Sequence, residues 1–345
     1  MTGTNKLNRN LLIIFVIQAL LAAVTWTSLH VTPATTHKES LFNFKTADVT
    51  KIEVTAMQSD KALPPVKLVK KDNTWTLASA DNFKAKTEEV TKLIDLLTGI
   101  KIEKTNPVAT SKATHLKLGV DSDSFDRKIS ITANGKTVNL FIGRGGRSSA
   151  TVRFTDSNKV FEAAGLSVWN INSSSSNYID TSYIDVDEST LKDVKIINPK
   201  GSLHFVKQGS EWTMPELPPQ ETAANSASDT ETDTVKATES KIKEGDIKRL
   251  INKVAKITIS DPVGKTVKPE YDLNKGATVT LSGTKDNKPF TITYKIGKKD
   301  DSSRYVKADN KEFVIKVSNY TVEDATEKTV GDFIKEPEKK DTDTQ

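Results

Sequence analysis

Asp180, Asp185 and Asp187 crowd one short stretch of the chain. Paired carboxylates of this kind can divide the roles of acid and base or hold a cation. Carboxylates gathered at a surface junction are far commoner, and the stretch reads as a solvated connector. Asp121 with Asp123, and Asp300 with Asp301, read the same way at predicted turns. The run Ile142-Gly143-Arg144-Gly145-Gly146-Arg147-Ser148-Ser149 offers a second chemistry. A phosphate cradle needs backbone N–H groups converging at a helix start, commonly with a Gly-Lys-Ser/Thr ending. This run lies between two predicted strands and lacks that ending, so it reads as a hairpin connection. Arg144 and Arg147 could still touch an anionic lipid or glycan if the tip faces a membrane.

The four histidines are His30, His37, His115 and His204. None falls in a metal-binding spacing such as His-Glu-x-x-His. The chain has no cysteine, which removes disulfides, thiolate metal sites, iron–sulfur clusters and a cysteine nucleophile. The serine run 173–176 follows Trp169 without a Gly-x-Ser-x-Gly elbow, so it reads as connector rather than nucleophile. No catalytic, cofactor-binding or metal-ligating residue is assigned, and enzyme activity is not expected. A hydrolase built on Asp180, Asp185 and Asp187 is the least favoured alternative.

The chain that must position these residues is 345 long and 36% hydrophobic, with a formal charge of +5. That basic excess is small and dispersed and gives no nucleic-acid footprint. Residues 11–31 form the one long apolar stretch, without Asp, Glu, Lys or Arg. A helix of about 20 residues crosses a bilayer core. Lys6 and Arg9 precede it, which places residues 1–10 in the cytoplasm and the rest outside. A cleaved signal peptide is the competing reading. No clean small-x-small site follows the apolar core, which favours an uncleaved transmembrane anchor.

The remainder reads as two copies of one pattern. The helix face Val90, Leu93, Ile94, Leu97 and Ile100 recurs 157 positions later as Ile247, Leu250, Ile251, Val254 and Ile257. Spacings of three and four put each set on one helical side. Trp75 recurs as Trp212, 137 positions later, so the second copy holds 20 more residues between its Trp and its helix. The turn Leu118-Gly119-Val120-Asp121 recurs as Tyr271-Asp272-Leu273-Asn274. Gly143 at a strand end recurs as Gly297, and Thr151-Val152 as Tyr305-Val306. Markers kept in one order over slowly drifting offsets argue for duplication. The second copy is longer because of an acidic, proline-containing insertion at 216–239, whose composition predicts disorder. Trp75 and Trp212 are expected in packing roles, as are Gly119, Gly143, Gly297 and Tyr305.

Around each helix the pattern is mostly strand, and Asn134-Gly135 between alternating runs marks a hairpin. The expected fold class is α+β, an N-terminal transmembrane helix followed by two homologous modules, each an antiparallel sheet packed on one amphipathic helix. The boundaries are a linker at 32–44, a first module at 45–185, a second at 186–330 and a polar tail at 331–345.

These markers resemble the family termed domain of unknown function 4340: a membrane helix, then repeats with a Trp, an amphipathic helix, a Tyr-Gly-Leu-Asp-like turn, an Ile-Gly strand end and a Tyr-Val strand. Asp272 departs from that pattern by replacing Gly, which bears on the backbone of that turn. The resemblance implies a bacterial inner-membrane protein facing the periplasm or exterior. It also implies association with an ABC transport system of the gliding-motility type, and brings no catalytic residues. The expected function is therefore a non-enzymatic accessory or scaffold subunit whose partners are the inner membrane and ABC transporter subunits, not nucleic acid. The alternative is a module binding cell-wall glycan, lipid or peptide in a groove between the copies.

Overall fold

Alternation of buried and exposed side chains builds most of the chain into antiparallel sheet, as along Ala277–Lys285, where every second residue from Ala277 to Gly283 is buried. The structure is a computed structural model and describes residues 13–22, 25, 38–146, 148–215 and 242–335. The expected cytoplasmic segment 1–10, the insertion 216–239, most of the tail, His30, His37 and Arg147 lie outside those residues, as do parts of the 11–31 stretch and of the linker.

Among the described residues two large sheets form, of nine and eight strands, with two small two-stranded ones. The larger runs Val160–Ala164, Ser149–Phe154, Lys136–Gly143, Arg127–Ala133, Val49–Gln58, Val66–Lys71, Thr74–Leu77, Phe83–Lys84, with Lys61–Ala62 off the Val49–Gln58 strand. The other runs Asp261–Gly264, Val314–Ser318, Ser303–Ala308, Lys288–Asp300, Ala277–Lys285, Leu191–Asn198, Gly201–Gln208, Glu211–Thr213. From Val160–Ala164 to Thr74–Leu77, and from Val314–Ser318 to Glu211–Thr213, the order is the same. The register agrees too: Val152 stands opposite Ile142 and Phe161, and Val306 opposite Ile296 and Ile315.

α-Helices occupy residues 13–22, Thr87–Thr98, Glu244–Ala255 and Asn319–Glu327, so the architecture is α+β. The Thr87–Thr98 helix buries Val90, Leu93, Ile94 and Leu97, and the Glu244–Ala255 helix buries Ile247, Leu250, Ile251 and Val254. Both faces match those read from the 3.6-residue period. The Asn319–Glu327 helix was not announced by the sequence pattern, because only Val322 and Ala325 supply apolar buried side chains. Among the described residues no helix is long and apolar enough to cross a membrane.

One apolar cluster runs through both halves. The junction is closed by Phe83 against Phe313, ring centroids 4.7 Å apart, and by Lys265 N–H donating to Asp81 Oδ2 at 2.7 Å. The Tyr183 hydroxyl adds a buried knot: it donates to the Phe313 carbonyl at 2.7 Å and accepts from Ala308 N–H at 3.1 Å. Burial pushes the Tyr183 phenol from its ordinary pKa of 10.0 up to about 12. The unfolded chain then loses this proton before the folded one does. The stability it supplies is full below pH 10 and is lost as the pH rises through about 12, on the order of 2–3 kcal/mol. Urea titrations at pH 9 and pH 11.5 are expected to show this fall, and Tyr183→Phe should reduce it, leaving the part that the buried Tyr178 and Tyr294 phenols supply. An unchanged slope in the variant would remove Tyr183 as its source.

Candidate functional site

The glycine-rich connection between Lys136–Gly143 and Ser149–Phe154 is fixed by close packing. A Cβ on Gly145 would stand 2.3 Å from the Ser149 carbonyl oxygen, so only glycine fits. Gly146 N–H donates to Ser149 Oγ at 3.0 Å. Arg144 N–H donates to the Leu118 carbonyl at 2.9 Å, and Thr151 Oγ1 donates to that same carbonyl at 2.9 Å. The connection is thereby tied to the Gly119 turn and leaves the Arg144 side chain exposed.

A second element faces it. The 3₁₀ turn Val168–Asn170 is held by a capping box, in which Ser167 Oγ accepts from Trp169 N–H and the Asn170 side chain accepts from Ser167 N–H. Ile171 is fully buried directly after it, and Arg127 Nε donates to the Ile171 carbonyl at 3.0 Å. Burial lowers the Arg127 guanidinium pKa from its ordinary value. This anchoring presents Trp169 at 84% exposure, unusual for a side chain of such apolar area.

Between the two elements lies an open cleft of about 800 Å³, lined by Met57, Leu63, Asp126, Arg127, Arg144 and Trp169 among others. Asp126 N–H donates to the Gly119 carbonyl at 3.0 Å. Its Oδ2 is buried and forms a long ion pair with Arg144 Nε at 3.5 Å, with no hydrogen bond made to it. The cleft thus combines a loosely paired carboxylate and guanidinium with an aromatic face. That set suits a polar ligand with an apolar face, such as a sugar ring, or a partner side chain.

The predicted signature residues lie elsewhere, in packing positions. Trp75 and Trp212 are buried, and Trp212 Nε1 donates to Glu188 Oε1 at 2.6 Å. Gly143 and Gly297 each abut the equivalent turn: a Cβ would stand 2.0 Å from the carbonyl oxygen of Leu118 in one half and of Tyr271 in the other. Tyr305 stacks on Tyr271, centroids 4.3 Å apart. Gly119 has φ +68° and Asp272 φ +50°. The departure from Gly therefore leaves the left-handed turn intact, since Asp tolerates this region better than most residues. The register equates Asp126 with Gly276, so each half carries one Asp and one Gly at these two positions.

Of the suspected carboxylates, Asp180 and Asp187 serve local turns, Asp185 is exposed on the Ser182–Asp185 strand, and Asp300 pairs with Lys316 at 2.6 Å. Asp180 accepts from Ser182 N–H at 3.0 Å and Asp187 from Ser189 N–H at 2.9 Å. The Ser189 N–H holds Asp187 below the usual carboxylate range. His115 is buried and donates from Nε2 to the Asn158 carbonyl at 3.0 Å. His204 Nε2 lies 2.7 Å from Asp193 Oδ2. Among the described residues no three His, Asp or Glu side chains are grouped to hold a metal ion. The pattern reading passed over Trp169 and Asp126. The signal available was a Trp inside a Ser-x-x-Asn box.

No curated protein and no solved structure was found to match the chain. A family model does match, over residues 75–276. That segment takes in both buried tryptophans, the helices Thr87–Thr98 and Glu244–Ala255, and the Gly119 and Asp272 turns. Covering more than half of the 345 residues, the match places the chain in the family described as Domain of unknown function (DUF4340).

Proposed function

We propose that this protein is a non-enzymatic, membrane-anchored envelope component that works by binding, as an accessory or scaffold subunit of an ABC-type transport assembly. Residues 11–31 would anchor it in the bacterial inner membrane, with the N-terminus in the cytoplasm and the body in the periplasm or outside. The apolar side chains of Ile13, Ile14, Phe15, Val16 and Ile17 are each about half or more exposed along consecutive helical positions. A helix apolar on all sides suits lipid rather than water. The shared strand order and register support two duplicated α+β modules, each a sheet with one amphipathic helix. The transport link rests on the family resemblance.

The observation that carries a binding role is Trp169, exposed in a cleft that it shares with the Arg144–Asp126 ion pair. Exposed Trp and Arg are the residue types that dominate interface energetics. The same trio favours a second reading, recognition of cell-wall glycan. Its place is this cleft and not the junction of the halves, which Phe83 and Phe313 close. The protein is expected to stay in the membrane pellet after alkaline carbonate washing. Gentle solubilisation should co-purify ABC transporter subunits, and Trp169→Ala should cut that recovery at least fivefold with an unchanged melting temperature. Recovery of the wild-type protein alone would sink the transport reading. Retention of a soluble glycan probe by wild type but not by Trp169→Ala would install the second.

A further inference from the structure

The halves differ where two neighbouring strands carry one cross-strand pair near the Gly119 or Asp272 turn. In the first half Phe141 and Arg153 stand directly opposite each other. Arg153 is 3% exposed, lies 4.7 Å from the Phe141 ring centroid, and donates to the carbonyls of Val120 at 2.7 Å and Ser157 at 3.0 Å. Phe141 packs with Val120, Phe125 and Val160 into a small second core. The space is filled.

In the second half the same cross-strand pair is Lys295 and Lys307. Like charges directly opposite on a sheet are destabilising. Among the described residues neither lysine has a carboxylate partner: Lys295 Nζ donates to Asn274 Oδ1 at 3.0 Å, and Lys307 Nζ to the carbonyls of Ala308 and Lys311. Both line an open hollow of about 640 Å³, joined by Lys268 and Lys275. The carboxylates lining it are Asp272, 3.4 Å from Lys275, and Asp309. Lys268 stands 4.0 Å from the Glu270 carboxylate, which leaves Lys295 and Lys307 as the two lining ammonium groups without an ion pair among the described residues.

We propose that this hollow binds a phosphate ester, with the phosphate seated between Lys295 and Lys307. An ammonium is a compact point charge with three rotatable donors, and it meets phosphate oxygens from any direction. The hollow is far larger than one phosphate group, so the ligand carries further atoms. It is a phosphorylated small molecule or polymer unit, or an anionic lipid headgroup. An anion there would relieve the repulsion that the sheet otherwise carries unbalanced.

The test uses the full-length protein in phosphatidylcholine nanodiscs, titrated with glycerol 3-phosphate at constant ionic strength. A parallel arm measures transfer to phosphatidylglycerol vesicles. Saturable binding in either arm is expected, weakened at least tenfold in Lys295→Gln/Lys307→Gln. Binding in the first arm assigns a soluble phosphate ester, and binding in the second alone assigns a lipid headgroup. Without ligand the double variant should melt at the same temperature or higher, because the repulsion is gone. The proposal is overturned by no binding in either arm, by equal binding of wild type and variant, or by a lower melting temperature in the variant. Lys295→Asn alone, expected to weaken binding about threefold or more, keeps the test decisive if the double variant is poorly expressed. Trp169→Ala should leave this binding unchanged, which separates it from the cleft in the first half.

Discussion

Replacing Trp212 by alanine is expected to cost roughly 3–5 kcal/mol, the range for deleting a large aromatic from a closed core. The ring is fully buried, and the resulting cavity would be bounded by strand and helix backbone that cannot collapse into it. The indole also serves a polar group. Its Nε1 donates to Glu188 Oε1 at 2.6 Å, and Lys207 Nζ bonds the same carboxylate at 2.9 Å while lying 5.4 Å from the ring centroid. Lys207 first, and Trp212 with it, hold the Glu188 carboxyl below its usual pKa. Trp212→Phe should therefore cost less, on the order of 1–2 kcal/mol, since Lys207 still partners Glu188. Domain stabilities are about 5–15 kcal/mol, so the alanine variant should lose a large share of its urea midpoint. A loss below about 1 kcal/mol would show that Trp212 does not hold this half together.

Gly143→Ala and Gly297→Ala are expected to cost about 3 kcal/mol each, at the upper end for overpacking. Neither glycine has positive φ, so the cost is steric. Each new Cβ would stand 2.0 Å from a turn carbonyl oxygen, and that oxygen is backbone, so relief requires the turn to move. In the first half the same carbonyl accepts from Arg144 N–H and Thr151 Oγ1, and those bonds would strain together. Gly245 supplies the contrast. It sits in the Glu244–Ala255 helix with nothing near its would-be Cβ, so Gly245→Ala should stabilise by about 0.5–1 kcal/mol. Denaturant titrations of the three variants check the ordering. Comparable small effects at all three sites would mean that Gly143 and Gly297 are not close-approach glycines.

These glycines mark how far local pattern carries. Their recurrence in the chain was legible, as was the helix face from Val90 to Ile100 and its copy from Ile247 to Ile257. Gly119 and Asp272 recur in the same way, and both take the left-handed turn. The pattern reading doubted Asp272 because it weighed residue type at one position. The register shows the partner position changing from Asp126 to Gly276, which only pairing across the sheet makes visible. The Asn319–Glu327 helix escaped for the opposite reason, having too few apolar positions to set a period.

By itself the sequence determined what depends on neighbours along the chain. Periodicity fixed which helix faces are buried, Asn134-Gly135 fixed a hairpin, and the recurring Trp and Gly positions fixed two parallel sets of markers. Tertiary structure alone decided what depends on residues far apart in sequence. It placed Trp169 in solvent opposite Arg144 and Asp126. It set Lys295 across from Lys307 where the other half has Phe141 and Arg153. It set Phe83 against Phe313 across the two halves. The physical reason is that a side chain's local pattern reports which way it points from its own element, whereas what it meets there is chosen by strand order and register. Those follow from burying both halves in one apolar cluster.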